Sequence, residues 1–144
     1  DADLKNLYIV TRLHDVGNIG IDSAILKKNG PLTPEERSEV EKHPVIGASI
    51  ISFLKGFDEA ARMVRHHHEY FDGTGYPEGL KGDKIPIVSR IVQFLDVYDS
   101  LTSTRPYRPA MAEGDIYRIL EKGRGTMFDP LVLDIFLEVI KKAS

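Results

Sequence analysis

The chain contains no cysteine. Disulfide bridges and thiolate metal sites are therefore excluded, and a reducing compartment, the cytoplasm, is the expected location. It has no apolar run long enough to span a bilayer. The longest apolar stretches, 46–54 and 85–95, are interrupted by Ser, Gly, Arg or Gln and read as buried helices. No secretory signal pattern is present. Charge of one sign is also scarce: 19 basic against 22 acidic residues leave a net charge of −3. Such a balance gives no general attraction to duplex DNA or an anionic membrane, so neither is expected as a partner. A local basic site for a small phosphorylated ligand stays open. Alternating strand patterns, internal repeats and low-complexity segments are missing as well.

What is there suits one compact domain. The chain has 144 residues, 42% hydrophobic and 28% charged, enough for a real core. Apolar residues recur at helical spacing. Leu4, Leu7, Tyr8 and Val10 lead into His14, and 17–31 reads as a loop punctuated by Gly17, Gly20, Gly30 and Pro31. Thr33-Pro34-Glu35-Glu36 has the form of a capping box with proline in the first turn. The spacing predicts one helix from there to about Gly56, with Val40, His43, Ile46, Gly47 and Ile50 on one face. Further helices are expected from Asp58 as cap, from Pro86 onward, over 114–122, and over 129–142 with Asp129 as cap. Asp72-Gly73-Thr74-Gly75 reads as a turn. The predicted fold is all-α, with two long functional loops.

All five histidines fall at candidate positions: His14, His43, His66, His67 and His68. Two aspartates share that setting. Asp15 adjoins His14, and Asp96 lies in the apolar run IVQFLDVYDSL. An ionised aspartate on a buried helix needs a partner, because desolvating a lone charge is costly. Each piece has an ordinary explanation by itself. His-Asp can be a capping pair, His43 a satisfied core histidine, the triple histidine a solvated run, and Asp96 a partner of Arg90. These explanations must hold separately at each place, whereas one metal cluster accounts for all of them. Imidazole and carboxylate together suit Fe, Mn, Zn, Ni or Co better than Mg²⁺.

The motifs carry a resemblance. HDVGNIGI at 14–21, GPLTPEE at 30–36, His43 with Gly47, HHE at 67–69, DGTGYPEGLKGDKIP at 72–86 and DVYDSLTSTRPYR at 96–108 resemble, in order, the signature of the HD-GYP family. That family is a bacterial branch of the HD-type metal phosphohydrolases. The resemblance implies an all-helical core with two or three divalent metal ions, iron or manganese first, zinc or nickel also admissible. It implies hydrolysis of cyclic di-GMP to linear pGpG, in some members on to GMP, by attack of a metal-activated hydroxide on phosphorus. Carried over by position, the implied ligands are His14, Asp15, His43, His67, His68 and Asp96, with Asp15 bridging. Tyr76 is the tyrosine implied to contact ligand or shape its loop, and Arg105 and Arg108 are implied contacts to phosphate and guanine. Guanidinium forks suit that task. His66 has no counterpart and is expected at the surface.

Two departures from the pattern are visible. The lysine that polarises the scissile phosphate in the family is replaced by Asn18, which donates a hydrogen bond but carries no charge. The family's preceding helix, with a Glu and a His for a third metal, has no counterpart here. The expectation is a single domain, 1–144, either cut from a longer multidomain protein or belonging to a member with two metals. Two alternative functions stay open. One is a non-catalytic member that binds a cyclic dinucleotide, or a signalling protein such as a GGDEF-type partner through the GYP loop. The other is an HD-type hydrolase for a mononucleotide or a different cyclic dinucleotide.

Overall fold

The computed structural model describes residues 2–104 and 110–143. Among them the chain is helical without a named strand: α1 (Ala2–Leu13), α2 (Ser23–Leu26), α3 (Pro34–Val40), α4 (His43–Ser52), α5 (Asp58–Arg65), α6 (Ile87–Thr102), α7 (Glu113–Lys122) and α8 (Pro130–Ala143). The all-α expectation holds.

The packing has two parts joined by α6. One cluster gathers Val10 of α1, Ile51 of α4, Ala60, Ala61, Met63 and Val64 of α5, and Val88 and Val92 of α6. The other places Phe94 and Leu101 of α6 against Ile116 and Leu120 of α7 and Phe128, Val132 and Leu133 at α8. Helix α5 illustrates the local logic. Its small apolar residues face the core, Asp58 and Glu59 occupy the first turn, and Arg62 and Arg65 the last, each sign complementing the helix dipole.

Several boundaries follow sequence chemistry. Thr33 accepts from the Glu36 amide while the Glu36 carboxylate accepts from the Thr33 amide, so the capping box forms. Asp129 caps α8 by accepting from the Leu131 amide. Asp72 accepts from the Thr74 amide and hydroxyl, closing the predicted turn.

Other expectations need correction. The single helix predicted from Thr33 to Gly56 is two. Pro44 lacks the N–H that would bond the carbonyl of Val40, so α3 ends there and α4 starts at His43. Asp58 is the first residue of α5 rather than its cap; Phe57 holds the cap position without a side-chain bond. The predicted loop 17–31 contains a 3₁₀ turn, Val16–Gly20, and the short α2. Arg90, the ordinary alternative partner weighed for Asp96, pairs with Asp129 at 2.6 Å and with Asp83 at 3.1 Å. No helix among the described residues is long and apolar enough to cross a membrane.

Candidate metal centre

The last turn of any helix leaves backbone carbonyls without partners. In this chain three of them are taken by histidines three residues downstream. The Nδ1 of His14 lies 3.1 Å from the Thr11 carbonyl at the end of α1. That of His43 lies 2.8 Å from Val40, the carbonyl freed by Pro44. That of His67 lies 2.6 Å from Val64 at the end of α5. A carbonyl only accepts, so each Nδ1 carries the proton. In the neutral ring each Nε2 is then the bare nitrogen, a polarity that metal-binding imidazoles share.

Those bare nitrogens converge. His43 Nε2 lies 3.4 Å from His67 Nε2 and 3.4 Å from Asp15 Oδ1. The other Asp15 oxygen, Oδ2, lies 3.6 Å from His14 Nε2. The His14 and His67 rings are 5.2 Å apart, and His68 sits 4.1 Å from His67 and 5.0 Å from His43. Nitrogen atoms of His43, His67 and His68 lie within 4.8 Å of one another. Acceptors facing acceptors at such range repel unless a proton or a cation lies between them. Protons are disfavoured: burial pushes the His67 imidazolium well down, helped by His68, and lowers His68 to about 3, helped by His43 and His14. Nitrogen lone pairs with one or more carboxylates form a donor set for a borderline divalent ion, so these residues fit the metal that the sequence implied.

Asp96, on α6, lines a cavity with Thr11, His14 and Asp15 and also a cleft with His68 and Tyr76. It therefore borders both the His14–Asp15 side and the His68–Tyr76 side. Tyr76 stacks on His68 with ring centroids 5.0 Å apart, and burial raises its phenol above the ordinary range. Asn18 lies in the 3₁₀ turn, its amide donating to the Asp15 carbonyl at 3.0 Å. Among the described residues it lines neither of those two cavities. Arg105 and Arg108 lie outside the described residues.

Close backbone approach brings these pieces together. A Cβ on Gly17 would lie 1.9 Å from the His43 carbonyl oxygen, so only glycine lets the His14-Asp15 segment meet the start of α4. A Cβ on Gly75 would lie 2.3 Å from the Tyr70 amide nitrogen, which holds the GYP loop against the histidine segment. Two residues assigned no role from sequence contribute here. Glu69 has a side chain with no exposure. It accepts from the Glu78 amide at 2.8 Å and the Leu80 amide at 3.1 Å, tying the loop beyond Tyr76 to His68. His66, expected at the surface, is 6% exposed, its Nδ1 3.5 Å from Glu69. The only sequence signal for either was adjacency to the paired histidines.

A model described as HD domain matches residues 1–132. The chain belongs to the HD-domain family, in its HD-GYP branch. Among relatives of this HD domain, a cyclic di-GMP phosphodiesterase of Vibrio cholerae is 41% identical over 98% of the chain and 30% of that protein. A 3′3′-cGAMP-specific phosphodiesterase of the same organism is 41% identical over 90% of the chain and 28% of that protein. The HD domain thus spans about a third of the length of these relatives. A solved structure described as a cyclic GMP-AMP specific phosphodiesterase of Vibrio cholerae superposes with a TM-score of 0.67 at 17% identity. It covers 94% of this chain and 38% of the other, a likeness of fold.

The neutral histidines predict a pH dependence. An imidazole whose folded pKa lies below its unfolded one takes up a proton on unfolding as the medium acidifies. Stability is then full above about 6.5 and lost as pH falls. The metal-free domain is expected to lose melting temperature between about pH 7 and pH 4, more steeply than a His68→Gln variant. Parallel curves for the two proteins in a thermal titration would sink this expectation.

Proposed function

We propose that this domain hydrolyses one 3′–5′ phosphodiester bond of a cyclic dinucleotide, with cyclic di-GMP as substrate and linear pGpG as first product. The observation that supports it most is the convergence of bare imidazole nitrogens and Asp15 beside a tyrosine-lined cleft. The names of the relatives point to the same substrate class.

His14, Asp15, His43, His67, His68 and Asp96 would hold two divalent ions, with iron or manganese proposed. When bound, such ions act as Lewis acids toward a phosphate oxygen and lower the pKa of bound water. The chain's own residues do the positioning. The carbonyls of Thr11, Val40 and Val64 keep each Nδ1 protonated and each Nε2 available. Asp15 directs one oxygen to the His43 side and one to the His14 side. Tyr76, anchored on His68, forms the wall against which a nucleotide lies. Arg105 and Arg108 are assigned to the charge of the two phosphates. Asn18 supplies a neutral donor where a lysine would supply a charge, so electrostatic stabilisation of the transition state rests more heavily on the rest of the site. In the reaction a water oxygen forms a new bond to phosphorus, the bond from phosphorus to O3′ breaks, and O3′ receives a proton.

The experiment is anaerobic incubation with cyclic di-GMP and Fe²⁺ or Mn²⁺, following pGpG and GMP by chromatography, with 3′3′-cGAMP in parallel. Metal-dependent pGpG is the expected result. Saturable nucleotide binding without product from a metal-loaded protein would overturn hydrolysis and favour a receptor, the reading suggested by Asn18. Product from 3′3′-cGAMP alone would reassign the substrate.

A further inference from the structure

One cleft beside the centre has polar groups that the mechanism above does not use. It measures about 350 Å³, and Glu41, Tyr70, Tyr76 and Gln93 line it together with His68 and Asp96. That size falls in the range of small-molecule sites, roughly 300–1,000 Å³. Glu41 is half-buried at the break between α3 and α4. Among the described residues its carboxylate has neither a hydrogen bond nor an ion pair. Gln93 lies on α6, three residues before Asp96 and therefore on the same face. It is 2% exposed, and its carboxamide nitrogen has no hydrogen-bond partner. A buried donor left unpaired in this way is uncommon and destabilising. The negative charge of Glu41 reaches both phenols, adding to the burial that raises Tyr70 and Tyr76.

A cleft with two aromatic walls, an unpaired carboxylate, an unpaired amide donor and the Arg37 guanidinium as a further donor suits a base of a particular polarity, one that presents donors beside an acceptor. Guanine presents two adjacent donors, N1–H and the 2-amino group, beside the O6 acceptor. Adenine presents the reverse, an acceptor at N1 beside a donor. A carboxylate accepts from guanine and repels the adenine N1 lone pair.

We propose that Glu41 and Gln93 select guanine: Glu41 accepts from N1–H and the 2-amino group, Gln93 donates to O6, and Tyr70 or Tyr76 stacks on the ring. The assignment rests on the cyclic dinucleotide reading above. Because His68 and Asp96 share the cleft, a base held there keeps its own phosphate beside the candidate ligands. The two residues thus set which cyclic dinucleotide is taken, and Tyr70 and Tyr76 act as base-neutral platforms.

The test compares cyclic di-GMP with cyclic di-AMP on the metal-loaded domain, by kcat/KM and by dissociation constant. Wild type is expected to favour cyclic di-GMP. Glu41→Gln, at a half-buried position where the fold is not at stake, is expected to lower that preference by about tenfold or more, with adenine tolerated better than before. Gln93→Leu is expected to lower it in the same direction. A merely structural role would weaken both nucleotides equally, and that result, or an unmoved ratio, overturns the assignment. If wild type binds and hydrolyses neither nucleotide, the functional reading fails and this one with it. If wild type hydrolyses cyclic di-GMP while the variants keep its preference, only the assignment of Glu41 and Gln93 fails.

Discussion

Replacing Asp15 with alanine is expected to remove bound metal and to lower turnover of a cyclic dinucleotide by roughly 100-fold or more, since removing mere supporting groups of metal ligands already costs 10- to 100-fold. The expectation comes from geometry. Asp15 places one oxygen near His43 and the other near His14. Its side chain is 57% exposed, so little packing is lost with it, and the melting temperature of the metal-free protein should barely change. Elemental analysis of metal content separates this from a simple defect of chemistry. Asp15→Asn keeps the shape but loses the charge and should behave like alanine. Unchanged metal content and turnover in Asp15→Ala would remove Asp15 from the centre.

Gly17→Val is expected to have the largest effect on the fold. Any Cβ at this position meets the His43 carbonyl oxygen at 1.9 Å and the Gly47 amide nitrogen at 2.6 Å. These are backbone atoms and cannot rotate away, so α4 and the 3₁₀ turn must separate. Overpacking against side chains costs about 1–3 kcal/mol, and a rigid backbone contact should reach or exceed the upper end. For a domain of this size that corresponds to a drop of roughly 10 °C in melting temperature. The separation also pulls His14 and Asp15 from His43, so metal affinity should fall with stability. Gly114→Ala is the control: apart from its chain neighbours and its own helix backbone nothing lies within 4 Å of its Cβ position, and it sits in α7. There alanine should stabilise slightly. Equal melting temperatures for wild type and Gly17→Val would refute the close approach.

Much of the fold is legible in the sequence because its signals are local. The Thr33–Glu36 box, the cap at Asp129, the Asp72–Thr74 turn and the periodicity of α5 and α6 depend on residues within about a turn of one another. The break before His43 was also written locally, in Pro44, but the apolar spacing running across it from Val40 to Ile50 concealed it. The chemical types of the site were legible for a different reason. Histidine and aspartate in apolar settings are costly, and their coincidence at four places singles them out.

The amino-acid sequence by itself determined an all-helical chain, the positions of its main caps and turns, and a set of imidazoles and carboxylates suited to a divalent ion. Only the tertiary structure decided that residues from the ends of α1, α3 and α5 share one centre, that Glu69 and His66 are buried behind it, and that Glu41 and Gln93 face a common cleft. The reason is range. A helix end needs a neighbour a few residues away, and sequence contains it. The approach of His14 to His67, or of Glu41 to Gln93, depends on how glycines let backbones touch and on how two clusters pack across α6, terms that no local pattern encodes.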